Sequence, residues 1–367
     1  MYWTLNLVSV FVLCVLFAGI VIPQILLIAF RRKLFDVPDE RKIHTSAVPR
    51  LGGIAFTPVI FFSLVLLLAM NQTLGYDELM KITGAETLPL AYAFCAILLL
   101  YLLGMADDLI GVRYRAKFVI QILCGIMLIA GGVLLNDLQG LFMIQSLPTW
   151  ISAPLTVFVI VFIINAINLI DGLDGLASGL CSIAFLFDGF AFVHLGEYIY
   201  AMLAFATLGV LMPFYYYNVF GNANKGRKIF MGDTGSLTIG LMLCFLSIKL
   251  SNADYIAVGH CNPFVMAFAP LLVPCLDVVR VYMHRVRNGK SPFLPDKNHI
   301  HHKMLGIGMK QHKAMISIVL TSMVLTMLNV FLSIYVNVTL LLVVDIWLWT
   351  MANIWLTKQM KKRQTTL

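Results

Sequence analysis

The chain has 367 residues, of which 60% are hydrophobic and only 12% charged, with a mean hydropathy of +0.90. Soluble domains carry roughly 25% charged residues, so a water-soluble globule is excluded and most of the surface must face hydrocarbon. The net charge of +8, from 26 Lys and Arg against 18 Asp and Glu, is informative in such a chain through where the charges fall.

In chain order, residues 1–30 hold no basic residue before Arg31 and no short apolar core followed by a small-residue cleavage site, which predicts a retained first span instead of a removable signal. Crossing a hydrocarbon core of about 30 Å takes about 20 apolar residues. Stretches of that kind lie near 5–30, 53–70, 88–106, 118–135, 150–167, 176–195, 197–217, 235–252, 262–283, 315–334 and 336–357. The expected fold is therefore an all-α polytopic bundle of about eleven transmembrane helices, forming one catalytic domain over residues 1–367. Its loops near 31–52, 107–117, 168–175, 218–234 and 284–313 would build the active site. With eleven spans, alternate loops collect 24 of the 26 basic residues and leave only Lys81 and Lys249 for the other side. That asymmetry predicts a periplasmic N-terminus and a cytoplasmic C-terminus. The seven cysteines, Cys14, Cys95, Cys124, Cys181, Cys244, Cys261 and Cys275, are scattered through apolar runs without a C-x-x-C, and read as small buried hydrophobes.

Five polar clusters fall on the predicted cytoplasmic side. The first runs from Asp36 to His44 and continues through Pro49-Arg50-Leu51-Gly52-Gly53. The second is the acid pair Asp107-Asp108, followed by Arg113, Arg115 and Lys117. Adjacent carboxylates repel unless a cation or a basic neighbour shares the site, and magnesium suits hard oxygen ligands completed by water and phosphate; a solvated helix end is the plain alternative. In the third, Asn165, Asn168, Asp171 and Asp174 recur every three residues at the inner end of a span. On a helix they form one drifting stripe, which must line a polar cavity or bond internally, since exposure to lipid costs several kcal/mol. The fourth is F-M-G-D-T-G-S, Phe230 to Ser236, where Asp233 re-enters the membrane behind Lys225, Arg227 and Lys228; a helix starting near Ser236 would favour anions there. The fifth, Ser291 to His302, carries His299, His301 and His302 in a spacing that fits no zinc helix, so phosphate binding or proton handling is expected of it. Its loop leaves room for a short amphipathic segment. Among the span-embedded acids, Asp277 has Arg280 at i, i+3, whereas Asp188 and Asp345 have no evident partner.

These five clusters, in this order and on one side of an eleven-span chain, resemble the polyprenyl-phosphate N-acetylhexosamine-1-phosphate transferases. The P-D-K-N-H-I-H-H segment is similar to the branch that moves GlcNAc-1-phosphate from UDP-GlcNAc to undecaprenyl phosphate, releasing UMP and initiating a lipid-linked envelope glycan. The resemblance implies that Asp233 ligates Mg2+, or alternatively Mn2+, with Asn165 nearby. It implies that Asp107, Asp108, Asp174, His299, His301 and His302 belong to the catalytic centre, that Lys117 meets the pyrophosphate, and that Asn168, Asp171, Asn218 and Phe230 contact the donor. Gly111 stands where the family often has a lysine three residues after the acid pair. UDP-GlcNAc, undecaprenyl phosphate and membrane lipid are the expected partners, nucleic acid is not, and the family allows a homodimer. Localisation would be the bacterial inner membrane, with the site facing the cytoplasm. Two other readings stay open: the phospho-MurNAc-pentapeptide transferase of peptidoglycan synthesis, which differs in donor, and a secondary transporter, whose binding residues would lie near the midplane on broken, repeat-related helices.

Overall fold

The computed structural model describes residues 1–34, 48–254, 259–289, 291 and 298–364, and among them the chain is helical, with one isolated bridge between Asp137 and Ser146. The expected cluster at Asp36–His44, and Pro292–Lys297 of the histidine loop, lie outside the described residues. In order, the α-helices are α1 (Tyr2–Arg32), α2 (Phe56–Thr73), α3 (Glu78–Ala85), α4 (Thr87–Ile110), α5 (Tyr114–Ala130), α6 (Thr149–Ile170) and α7 (Leu176–Leu195). They continue with α8 (Tyr198–Tyr215), α9 (Gly232–Ser251), α10 (Pro263–Phe268), α11 (Leu272–Arg287), α12 (Ile300–Gly306), α13 (Gln311–Leu332) and α14 (Val338–Gln364).

Among the described residues, ten helical stretches are long and apolar enough to cross a membrane. The expected eleventh span, 118–135, corresponds to α5, which is shifted toward the N-terminus and only 17 residues long. Gly131 and Gly132, the latter at φ 82°, end it early. The following chain packs on α6 instead: Leu135 N–H donates to Thr156 Oγ1 at 2.9 Å, and Ser152 Oγ donates to the Leu135 carbonyl at 2.6 Å. Seventeen residues still suffice for a thin crossing. Geometry requires one, because the first turn of α5 meets the last turn of α4 while α6, packed beside α5, reaches the same site with its C-terminus.

The expected continuous span at 262–283 is broken. Pro270 lacks an N–H and its ring crowds the carbonyl one turn back, so the chain passes from α10 through a 3-10 turn at Ala269–Leu271 into α11.

Helix α9 is apolar on every side and is buried almost throughout, against α4, α6, α7 and α10; a helix with no polar face belongs in the middle of a bundle. Helix α1 buries only a stripe, Asn6, Val10, Cys14, Ala18, Ile22, Leu26 and Ala29, against α8, leaving its other faces to lipid. At the end of the bundle opposite the site, Glu86 accepts from Tyr200 Oη and from Lys249 Nζ (3.2 Å), and the Lys249 ammonium lies 4.7 Å from the Tyr200 ring centroid. Of the two intramembrane acids without an evident partner, Asp345 does have one, Asn329 Nδ2 at 3.2 Å. Asp188 is buried and neither of its oxygens is hydrogen-bonded among the described residues.

Candidate active site

The site assembles where the C-terminal ends of α4 and α6 meet the N-terminal ends of α5 and α9. Helix α4 ends with Asp107 and Asp108, because Gly111 at φ 72° terminates it and a short link starts α5. Lys117, one turn into α5, then reaches back with Nζ 2.7 Å from Asp107 Oδ2 and 2.5 Å from Asp233 Oδ2. The first N–H groups of a helix lack partners within it. At α9 Asp108 supplies them from another helix: its Oδ1 accepts from Asp233 N–H (2.8 Å), and its Oδ2 from Thr234 N–H (2.9 Å) and Thr234 Oγ1 (2.6 Å). Asn168 Nδ2 donates to Asp233 Oδ1 at 3.2 Å and to Ser236 Oγ at 2.8 Å. Asp107, Asp108 and Asp233 therefore offer oxygens lying within 4.8 Å of one another.

Backbone contact permits this convergence. A Cβ on Gly104, one turn before Asp107, would lie 2.5 Å from Thr234 Cα and 2.6 Å from its N, so only glycine lets α4 approach the start of α9 this closely.

Asn165, expected beside the metal, donates instead to Gln121 Oε1 and the Val161 carbonyl, both at 2.7 Å, one turn deeper in the bundle; it is Asn168 that touches Asp233. Asp171 lies in the turn between α6 and α7. Burial holds its carboxyl well above the usual carboxylate range, against the pull of Arg50. Asp174 forms an ion pair with Lys228, Nζ to Oδ2 2.5 Å, a contact that the three-residue stripe did not reveal. Asn218 is buried and bridges backbone, accepting from Gly175 N–H (2.6 Å) and donating to the Ile229 carbonyl (2.9 Å). Phe230 is held by the Pro49–Gly52 segment: its N–H donates to Pro49 O and its carbonyl accepts from Gly52 N–H, both at 2.9 Å.

Removing one partner of a largely buried pair strands the other charge. Lys228→Met is therefore expected to destabilise the protein by about 2 kcal/mol, a loss of ~2–4 °C in melting temperature for a chain of this size, read by thermal unfolding in detergent.

His299 and His301 are buried and His302 is half-buried. His299 caps α12, and its ring lies parallel to that of His301 (5.8 Å between centroids, 9° between planes). His301 is 1% exposed and packs on Gly172 of the Asp171–Asp174 turn: a Cβ there would lie 2.6 Å from His301 Nε2. Burial and the neighbouring His302 and His299 lower the His301 pKa to about 3. The unfolded chain, with an ordinary imidazole, binds the extra proton below about pH 6.5, whereas the folded one does not until about pH 3. Stability is thus expected to fall as pH drops through 6.5, by roughly 2 kcal/mol at pH 5 from this group. Melting temperatures at pH 7.5 and 5 for wild type and His301→Gln check this; the variant should lose less.

One cavity opens on the acid pair and another lies beside the histidine element. One, of about 290 Å³, is lined by Lys33, Arg50, Asp107 and Asp108. The other, of about 330 Å³ and apolar, opens between α11, α13 and α14 beside Ile300 and Met304 of α12.

Comparison with known proteins identifies the family. The family model for glycosyl transferase family 4 matches residues 90–251. The probable undecaprenyl-phosphate N-acetylglucosaminyl 1-phosphate transferase of Bacillus subtilis (strain 168) is 30% identical over 86% of this chain and 82% of its own. The decaprenyl-phosphate N-acetylglucosaminephosphotransferase of Mycolicibacterium smegmatis is 32% identical over 80% and 74%. The chain belongs to glycosyl transferase family 4. The undecaprenyl-phosphate alpha-N-acetylglucosaminyl 1-phosphate transferase of Yersinia pestis is also similar, 29% identical over 83% and 78%. The resemblance read from the motifs is thus borne out. The stretch matched by the family 4 model holds Asp107, Asp108, Lys117, Asn168, Asp171 and Asp233, and ends before the histidines.

Proposed function

We propose that this family 4 enzyme transfers GlcNAc-1-phosphate from UDP-GlcNAc to undecaprenyl phosphate, giving undecaprenyl diphosphate GlcNAc and UMP. The observation that carries the reading is the convergence of Asp107, Asp108, Asp233 and Lys117 at the buried start of α9, at one end of a membrane bundle whose relatives bear that activity in their names. The sequence's concentration of 24 of 26 basic residues in alternate loops supports a site on the cytoplasmic face of the inner membrane.

A divalent cation fits the site. Its donors are all hard oxygens, and three clustered carboxylates share a single ammonium, an acidic set that a divalent cation complements. Asp233 and Asp107 would hold it, since both oxygens of Asp108 already serve the start of α9. Bound Mg2+ would neutralise charge on the diphosphate. The residues do the rest by positioning and charge compensation, which dominate phosphoryl transfer. Asn168 orients Asp233 through Oδ1, and Lys117 sets its ammonium against Oδ2. Asp171 and Phe230 frame the nucleoside, and the histidine element packs against the Asp171–Asp174 turn from the other side. An acceptor phosphate oxygen attacks the phosphorus bonded to the sugar, the bond to the UMP phosphate breaks, and UMP leaves. A phosphate monoester has its second pKa near 6, so the acceptor is largely a dianion at pH 7 and attacks directly. The polyprenyl tail stays in hydrocarbon, where the apolar cavity beside α12 offers lateral access.

The test is a detergent assay with labelled donors. UDP-GlcNAc should yield a lipid-linked label and UMP only when undecaprenyl phosphate is present, and UDP-MurNAc-pentapeptide should not. Turnover of the pentapeptide donor alone would reassign the enzyme to peptidoglycan synthesis. Uptake into vesicles without chemistry would mark a transporter.

A further inference from the structure

Asp277 of α11 is fully buried, yet it lies 22 residues in sequence from the histidine element that it holds. Its Oδ1 accepts from Ile300 N–H at 3.0 Å, at the start of α12, and from Arg280 Nη2 at 2.8 Å; Arg280 also donates to the Asn298 carbonyl. Its Oδ2 lies 2.8 Å from His299 Nδ1. A carboxylate paired with a guanidinium and with a backbone N–H is ionised and only accepts, so the His299 proton sits on Nδ1. Nε2 is the ring nitrogen turned away from the carboxylate. The ring is also locked in orientation, parallel to His301, which rests on Gly172 of the donor-facing turn.

We propose that Asp277 is a positioning residue for the transfer, acting through His299 by fixing its tautomer and ring orientation toward the diphosphate. The inference rests on the reading of the protein as a sugar-1-phosphate transferase. The logic is that of any carboxylate–histidine pair, in which the acid selects which nitrogen does chemistry. Arg280 and the α12 N–H share Oδ1, which leaves Oδ2 committed to the imidazole.

Asparagine is isosteric and still accepts from Ile300 N–H and Arg280 through its oxygen, but offers an N–H toward Nδ1 and so favours the opposite tautomer. The full-length protein in detergent is compared as wild type, Asp277→Asn, His299→Gln and the double variant, with UDP-GlcNAc and undecaprenyl phosphate. Asp277→Asn should lower kcat by about 30-fold, part of what an acid–base group contributes, with the KM for UDP-GlcNAc changed by less than ~3-fold. In the His299→Gln background it should cost less than ~3-fold further, because residues acting as one unit are not additive. The 15N shifts of labelled histidine should report an Nδ1–H tautomer in wild type and its loss in Asp277→Asn. Independent, multiplying losses, or an unchanged tautomer, would reduce Asp277 to a cap of α12 and overturn the proposal. Should Asp277→Asn fail to fold, Asp277→Glu replaces it in the same cycle: it keeps the charge, should retain the tautomer and should lose less than His299→Gln; a loss as large, independent of His299, would again overturn the proposal. A wild-type protein that releases no UMP would instead sink the transferase reading itself.

Discussion

Replacing Asp233 by asparagine is expected to lower kcat for UMP release by at least about 10³-fold, while the protein still inserts and folds. Asp233 is where the site's charges meet: Lys117 on Oδ2, Asn168 on Oδ1, and its own backbone N–H on Asp108. Asparagine preserves the volume and the backbone contact, so α9 keeps its cap. It removes one of the two carboxylates free to hold a cation and leaves Lys117 paired with Asp107 alone. Groups aimed at developing charge in a water-poor site are each worth 10²–10³ in rate, and here one substitution removes both a proposed cation ligand and a partner of the lysine. Initial-rate measurements at saturating donor and acceptor check the expectation. A variant within about tenfold of wild type would show that Asp233 is not central.

Gly104→Ala is expected to cost about 10²-fold in kcat without altering any polar group. The new methyl would need more than the 2.5 Å it finds to Thr234 Cα, and the obstacle is backbone, which cannot rotate away. Helix α4 must then shift by about 1 Å, carrying Asp107 and Asp108 away from Asp233 and Lys117; a displacement of that size in a reacting constellation costs 10²-fold or so. Overpacking should also lower stability by about 1–3 kcal/mol. Gly19→Ala in α1 is the control, since a Cβ there meets nothing within 4 Å, and it should retain full activity. Equal activity in both variants would mean that the approach of α4 to α9 does not set the site.

Much of this was legible in the sequence because a membrane imposes coarse rules. Length and apolarity located the spans, with α5 as the marginal case, where glycines cut the helix and the apolar run continued past it. Pro270 broke α10 from α11 inside an unbroken hydrophobic stretch, and hydropathy averages over such a break. The motif residues were visible as polar groups in apolar surroundings, and the pairing of Asp277 with Arg280 followed from helical spacing. What spacing along one helix does not give is which helix lies opposite. The bonds of Asp108 to the start of α9, of Lys117 to Asp233, and of Lys228 to Asp174 join residues 54 to 126 positions apart. The three-residue stripe likewise does not reveal that Asn168, and not Asn165, reaches Asp233. The burial of His299 and His301 depends on α12 folding onto Asp277 and Gly172, which no local pattern announces.

The central claim is that Asp107 and Asp233 form one divalent-cation centre at the start of α9, with Lys117 and Asp108 holding it in place. Mn2+ binding to the purified protein in the presence of UDP, followed by electron paramagnetic resonance, tests it without recourse to turnover. One bound Mn2+ per chain is predicted for wild type, with the signal lost in Asp233→Asn and weakened in Asp107→Asn. Undiminished binding in Asp233→Asn, or none in wild type, would contradict the account.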